Sequence, residues 1–352
     1  VGPEVIAQAL RALHAIGARH DHEFTVTEGL IGGIAIDRTG DPLPPSTRAL
    51  VTSVDAVLLG AVGGPQWSDP TATVRPEQGL LGLRSLLGTF ANVRPVRTQP
   101  ALKALSPLRG ELLTDVDIVF IRELTGGLYF GEKTRDIDDA GQWRRATDLC
   151  VYTAEEVGRV VRVAGNLARE RRGKVTSVDK ANVLETSRLW RAVTTAVMRE
   201  EFPDVQLEHV LVDAFAMHLL RSPASHDVVV TENLFGDILT DEAAVLEGSI
   251  GLLPSASLGA ARADGRIGGL YEPIHGSAPD IAGQSRANPA GAILSVALLL
   301  RHTLGLEHAA TELEAAVYGA LGSGYRTADC ALPGDVAITT SAFGDAVLAR
   351  LG

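Results

Sequence analysis

The sequence predicts an α/β protein large enough for two domains, on three observations. Helical and strand-like patterns alternate along the chain. The strand-like runs are short, apolar and stopped by Gly or charged residues. The 352 residues are 45% apolar, enough to bury a large core. Residues 4–16 carry apolar side chains at helical spacing behind Pro3, a residue suited to a first helical turn. Residues 56–59 (AVLL) form an apolar run stopped by Gly60, and residues 117–122 (DIVFIR) repeat that strand-then-loop design. Residues 175–178, 207–212 and 227–231 read as further strands, with helices over 154–172 and 187–201 between them. The Pro-rich residues 41–45 and the Gly/Ala-rich residues 258–269 read as surface loops.

Composition excludes several classes of partner. Asp and Glu number 43 against 32 Lys and Arg, a formal charge of −11 that argues against binding nucleic acid or an anionic membrane. An anionic ligand must therefore meet basic residues gathered locally. The longest apolar stretch, residues 290–300, is shorter than the roughly 18–20 residues of a membrane span and is closed by Arg301 and His302. It reads as a buried helix. Cys150 and Cys330 are too few for a disulfide framework and lack metal-site spacing, which fits a reducing cytoplasm.

Five polar clusters end apolar segments, where loops of an α/β sheet face a crevice. In EQGLLGLRSLLGTFANVRP, residues 77–95, a helix would set Glu77, Leu80, Leu81 and Arg84 on one face, with Asn92 and Arg94 following. An amphipathic helix with solvated arginines has the same pattern. In RELTGGLYFG, Arg122 ends the DIVFIR strand, Gly126 and Gly127 make a turn and Tyr129 follows. Strand-end placement aims Arg122 and Tyr129 at a cleft; the alternative is a core tyrosine with a satisfied hydroxyl. In SVDKANVLE, Lys180 follows an apolar strand beside Asp179 and Asn182. It can serve as a base only if lost water or neighbouring cations lower its pKa, and is otherwise a surface lysine.

In NLFGDILTDEA, Asp237 and Asp241 fall one turn apart on a helix, where like charges repel unless a cation joins them. Asp213, after the strand over 207–212, offers a third oxygen ligand. Three carboxylates without His or Cys suit Mg²⁺ or Mn²⁺ rather than Zn²⁺. The alternative has Asp237 capping a helix that begins after Gly236, with Asp241 solvated. In HGSAPDIAG, residues 275–283, small residues let backbone approach a flat ligand, and Asp280 offers acceptors to a ribose diol. No G-x-G-x-x-G follows a strand, so a Rossmann cofactor site is not expected.

Together these segments closely resemble the β-decarboxylating dehydrogenase family that contains isocitrate, homoisocitrate, tartrate and 3-isopropylmalate dehydrogenases. The likeness runs from Val1 essentially to the C-terminus. It implies a two-domain isocitrate/isopropylmalate dehydrogenase-like fold, with a large mixed sheet flanked by helices and no Rossmann fold. Residues 1–89 and 249–352 would form a cofactor-binding first domain. Residues 90–248 would form a second domain with the dimer interface, residues 132–152 being an arm that crosses between subunits. Val1-Gly2-Pro3-Glu4 is similar to the tail of the family's N-terminal GDGIGPE segment, whose first strand precedes it. The first domain's sheet is therefore expected to be short of that strand.

The resemblance also implies residue roles. Arg84, Arg94 and Arg122 would fork onto the two carboxylates of a malate, a task suited to planar bidentate donors. Asp237 and Asp241 would bind Mg²⁺ or Mn²⁺ with Asp213 from a partner chain, where Asp213 also meets substrate. Lys180 and Asn182 would likewise reach into the neighbour's cleft, so that a homodimer completes each site. Lys180, directly or through a water or Asp213, would take the C2 hydroxyl proton as hydride passes to the nicotinamide, and Tyr129 would protonate the enol at C3. His275, Gly276, Ser277, Ala278, Asp280, Ile281, Gly283 and Asn288 would line the adenosine side of the cofactor, and Gly64 in the Gly63-Gly64-Pro65 loop, Glu77 and Asn182 the nicotinamide side. Family members that use NADP tend to carry a basic residue and Tyr where this chain has Asp280 and Ile281, so NAD is expected. Leu80, Leu81 and a partner chain's Val183 would wall off a branched alkyl substituent.

Two rival readings differ in what they predict. A sister enzyme acting on tartrate, D-malate or homoisocitrate would share the catalytic residues and differ at residues 77–81, where Gly-Leu-Leu speaks against it. A non-catalytic dimeric binding protein predicts loss of Lys180, Tyr129 or one of the aspartates, and all are present.

Overall fold

The computed structural model describes residues 1–67, 72–262 and 265–352. In chain order the elements are α1 (Gly2–Arg19), α2 (Gly33–Thr39), α3 (Pro45–Val51), β1 (Ala56–Leu58), α4 (Pro76–Leu87), β2 (Ala91–Arg97) and β3 (Asp117–Glu123). There follow β4 (Lys133–Ile137), β5 (Trp143–Asp148), α5 (Ala154–Arg169), β6 (Lys174–Asp179), α6 (Glu185–Glu201), β7 (Gln206–Leu211), α7 (Val212–Arg221), β8 (Val228–Thr231) and α8 (Asn233–Glu247). The chain ends with β9 (Pro254–Ala261), β10 (Ile267–Pro273), α9 (Ala290–His302), α10 (Glu307–Gly322) and α11 (Thr340–Leu351). It divides into two compact units, the first Val1–Thr89, Arg97–Gly110 and Ala244–Gly352, the second Phe90–Val96 and Glu111–Ala243.

The first unit is built around α9. Every residue from Ala290 to Leu300 is buried, because this helix packs against α1, α10, β9 and β10 together, and a helix apolar all round belongs inside. Val5, Ala9 and Ile16 of α1, Val317 of α10 and Phe343 of α11 close the same core. Among the described residues no helix is long and apolar enough to cross a membrane. β1 pairs parallel with β10, with Leu58 opposite Tyr271, and β10 pairs antiparallel with β9.

Two loop expectations are met only in part in this unit. Residues 258–269 are not all surface loop: residues 258–261 end β9 and residues 267–269 open β10, while Ala263 and Asp264 lie outside the described residues. The small residues serve close packing. A Cβ on Gly259 would sit 3.2 and 3.3 Å from the carbonyl oxygens of Gly88 and Leu87, tighter than a strand residue normally accepts. Residues 41–44 do form a loop, but Leu43 is 1% exposed and packs with Leu83 and Leu270, so the loop is held in the core.

In the second unit the sheet order is β2-β3-β8-β6-β7. β3, β8, β6 and β7 run parallel to one another. Buried parallel strands read as unbroken apolar runs, and Ile118, Val119, Phe120 and Ile121 of β3 and Val228, Val229 and Val230 of β8 are all buried. Helix α5 covers β3, β6 and β8, and α7 packs on β7 and β6. Helix α5 starts where Thr153 Oγ1 accepts from the Glu156 amide while the Glu156 carboxylate accepts from the Thr153 amide; it ends at Arg169, three residues short of expectation. β4 and β5 form an antiparallel hairpin of almost wholly exposed residues.

Ile293→Ala, at the fully buried centre of α9, should lower the unfolding free energy by about 2–5 kcal/mol, read from the midpoint of a denaturant titration at unchanged slope.

Candidate active site

Helix α8 gathers one cluster. Asp237 lies in its second turn rather than at its start, because the helix begins at Asn233; the capping alternative fails for that reason. Arg122, at the end of β3, binds Asp237 Oδ1 through NH1 and donates from Nε to Asn233 Oδ1 at 3.0 Å. Gly236 makes room for it: a Cβ there would meet Arg122 Cγ at 2.7 Å. The Tyr129 hydroxyl donates to Asp237 Oδ2 at 2.5 Å, with the Arg122 guanidinium 5.5 Å from its ring centre. From β2, Arg94 donates to Asn92 Oδ1 and to Thr240 Oγ1, both at 2.6 Å. Its guanidinium stands 4.0 Å from Asp237 and 3.8 Å from Asp241.

The electrostatics of the two aspartates differ. Burial raises the pKa of Asp237, but the charge of Arg122, the Tyr129 hydroxyl and the charge of Arg94 together hold it below the usual carboxylate range. Asp241 is pushed up, by burial first and by the charge of Asp237 against the pull of Arg94. Burial and the bond to Asp237 push Tyr129 up to about 12, so its phenol keeps its proton at neutral pH.

A second group stands at the ends of β6 and β7. Lys180 Nζ donates to Asp213 Oδ1 at 2.5 Å, and this bond holds Asp213 below its ordinary range. The Lys180 amide donates to Ser187 Oγ at 3.0 Å, fixing the turn. Asn182 and Val183 lie exposed just beyond. Within one chain Asp213 does not join Asp237 and Asp241. Among the described residues the one trio of His, Cys, Asp or Glu whose ligand atoms lie within 4.8 Å of one another is His20, His308 and Glu312.

In the first unit, Arg84 of α4 is buried and donates to Glu272 Oε1 of β10 at 2.9 Å, while its Nε has no hydrogen-bond partner. Leu80 and Leu81 are half-buried and Glu77 is exposed. The Gly64 carbonyl accepts from the Trp67 amide at 3.0 Å. In the loop after β10, His275 Nδ1 bonds the Gly276 carbonyl at 2.9 Å, and burial pushes its imidazole down, towards neutrality. Ser277, Ala278 and Ile281 are half-buried; Gly276, Asp280 and Gly283 are exposed. Asn288 is buried, its Oδ1 accepting from the Ala290 amide and its Nδ2 donating to Asp329, both at 3.0 Å.

Several supports had no mark in the sequence. The Glu4 carboxylate accepts from the Gly283 and Ser285 amides at 3.0 and 2.9 Å and so ties down the end of that loop. Asn233 and Thr240, together with the Asn92 already noted beside Arg94, orient the arginines; only their neighbourhood to charged residues could have suggested the first two.

The chain matches the isocitrate/isopropylmalate dehydrogenase description over residues 1–347. It belongs to the isocitrate/isopropylmalate dehydrogenase family. It is 58% identical over 352 residues to a 3-isopropylmalate dehydrogenase of Anaeromyxobacter dehalogenans (strain 2CP-C), covering 100% of this chain and 96% of that one. To the enzyme of the same name from Rhodopirellula baltica it is 53% identical over 353 residues, with the same coverage. An isocitrate dehydrogenase from Methylococcus capsulatus has the same fold at a TM-score of 0.86 and 31% identity, covering 100% and 96% of the two chains. The family resemblance and the fold class expected from the sequence are both borne out.

Just ahead of α8, burial pushes the Glu232 carboxyl up to about 7 against the bond from the Phe235 amide, and Glu123 adds repulsion. The folded chain then holds a proton that the unfolded chain has released, so stability falls as pH rises from about 4.5 to about 7. Glu232→Gln should remove that component, flattening the decline in unfolding free energy across this window by up to about 3 kcal/mol. An unchanged profile in denaturant titrations at several pH values would count against it.

Proposed function

We propose that the chain catalyses the oxidative decarboxylation of 3-isopropylmalate to 4-methyl-2-oxopentanoate and CO₂ with NAD, a step of leucine biosynthesis in the cytoplasm. The observation that carries the reading is the cluster on α8, where Arg94, Arg122 and Tyr129 meet the pair Asp237 and Asp241. The names of the most similar relatives support the substrate, and so do the half-buried, uncharged Leu80 and Leu81. A sister enzyme for a more polar acid would need polar groups at those two positions.

The residues fit a Mg²⁺ or Mn²⁺ ion. Asp237 and Asp241 are oxygen donors one turn apart, and a cation between them would offset their mutual repulsion. Such an ion supplies Lewis-acid polarisation of substrate oxygens. Arg84, Arg94 and Arg122 bind the two malate carboxylates. Lys180, directly or through a water or Asp213, takes the proton of the C2 hydroxyl, its amine held in place by the bond to Asp213. Tyr129, its phenol protonated, gives a proton to C3 after CO₂ leaves.

NAD, when bound, would supply the acceptor for the hydride of C2. The exposed Asp280 carboxylate would accept from free ribose hydroxyls and repel a 2′-phosphate. Asp213 and Lys180 serve the site of a second copy. The separation of Asp213 from Asp237 and Asp241 within one chain supports this, as do the exposed apolar side chains of Val183, Met217 and Ile238 in the same unit.

Turnover should be measured on 3-isopropylmalate, isocitrate, D-malate, tartrate and homoisocitrate with NAD and Mn²⁺, following absorbance of NADH. Isopropylmalate is expected to give the highest kcat/KM, and a polar acid in that place would sink the reading. Lys180→Met should cut kcat about 100- to 10,000-fold while NAD still binds.

Asp280→Lys should shift the ratio of kcat/KM for NAD over NADP at least about tenfold towards NADP, since a charged hydrogen bond is lost to one cofactor and gained by the other. Unchanged selectivity would mean that the adenosine ribose lies elsewhere.

A further inference from the structure

Outside the residues given roles above, one cluster in the first unit brings donors of two kinds to one point. His20 closes α1, its amide donating to the Ile16 and Gly17 carbonyls at 3.2 and 3.1 Å. His308 and Glu312 lie one turn apart on α10. His20 Nε2 is 2.8 Å from Glu312 Oε2, and Arg19 binds the other carboxylate oxygen. The two imidazoles meet edge to face, their centres 5.2 Å apart. One ligand atom from each of the three residues lies within 4.8 Å of the others. His308 is exposed, which leaves an approach from solvent.

A simple ion pair accounts for His20 and Glu312 but gives no reason for a second imidazole turned to the same point. We propose that His20, His308 and Glu312 form a metal site separate from the carboxylate pair on α8, one that takes a transition-metal dication of the Zn²⁺ class. Two imidazole nitrogens and one carboxylate oxygen are a donor set that Zn²⁺, Ni²⁺ and Cu²⁺ accept and that Mg²⁺, which prefers oxygen alone, does not. Arg19 on the remaining oxygen of Glu312 orients the ligating carboxylate, as outer partners of metal ligands commonly do. With three protein ligands, a fourth position is left to water. The bound ion ties the C-terminal end of α1 to α10 and stabilises the folded chain in proportion to its occupancy.

The test titrates Zn²⁺ into the full chain in excess Mg²⁺, so that the carboxylate pair on α8 is saturated with the harder ion. One equivalent of Zn²⁺ per chain is expected by calorimetry, with a rise of the thermal midpoint. Cu²⁺ in the same position should give an electron paramagnetic resonance spectrum split by two nitrogens. His308→Ala and Glu312→Gln should each weaken Zn²⁺ binding at least about tenfold, and His308→Ala should reduce the splitting to that of one nitrogen. Asp241→Asn should leave this site unchanged. If the parent takes up no Zn²⁺ beyond the amount bound by His308→Ala, or if the Cu²⁺ spectrum is the same in both, the cluster is a His–Glu ion pair only and the proposal is overturned.

Discussion

The guanidinium of Arg122 sets the terms for the site in the second unit. It belongs to a residue 3% exposed, and a cation so far from water must be paired and hydrogen-bonded. Asp237 supplies the charge and Asn233 Oδ1 accepts the hydrogen bond from Nε. Gly236 supplies the space. Asn233, Gly236 and Asp237 stand at i, i+3 and i+4 of α8, the spacing that puts three positions on one helical face. The pairing therefore fixes which face of α8 meets the end of β3. Loss of one member of such a pair costs about 3–5 kcal/mol, so the first two turns of α8 are bound to the arginine as much as to any ligand. Tyr129 depends on the same carboxylate, which sets both its direction and its raised pKa.

Strand register explains the neighbouring pair. β6 and β7 run parallel with Asp179 opposite Leu211, so the next residues beyond the ladder are Lys180 on one strand and Val212 and Asp213 on the other. An amine and a carboxylate at these positions meet without any special loop. β3 and β8 follow the same rule: Arg122 lies opposite Thr231, and α8 begins two residues after Thr231. Polar groups that leave the same ends of parallel strands inherit the rigidity of the apolar ladder below them.

The sequence made these strands and helices legible because each carries a long periodic or unbroken apolar pattern, as DIVFIR and residues 290–300 do. β9 was hidden, since Leu258 is its one large side chain and the rest are Pro, Ser, Ala and Gly, none of them β-branched or aromatic. Asp237 and Asp241 could be read from spacing alone, but their unlike pKa shifts could not, because these depend on where Arg94, Arg122 and Tyr129 fall in three dimensions. The roles of Asn233 and Thr240 were out of reach for a similar reason. An amide or a hydroxyl inside a helix has no pattern of its own until the arginine it orients is seen beside it.

Saturation separates structural acids from those of the site. Asp179 accepts from both Nε and NH2 of Arg191 at 2.8 Å and from the Ala181 amide at 3.0 Å. Asp227 accepts from Arg171 Nε at 2.8 Å and from the Arg172 amide at 2.9 Å. Both are almost fully buried, and their lone pairs are taken by donors from their own surroundings. Asp241 is different: its nearest cation, Arg94, stands at 3.8 Å, too far for a hydrogen bond. Its side chain is 62% exposed, so its oxygens face solvent instead of donors of the chain. Saturated acids such as Asp179 and Asp227 serve the fold, and an open carboxylate one turn from Asp237 is the one left for a cation.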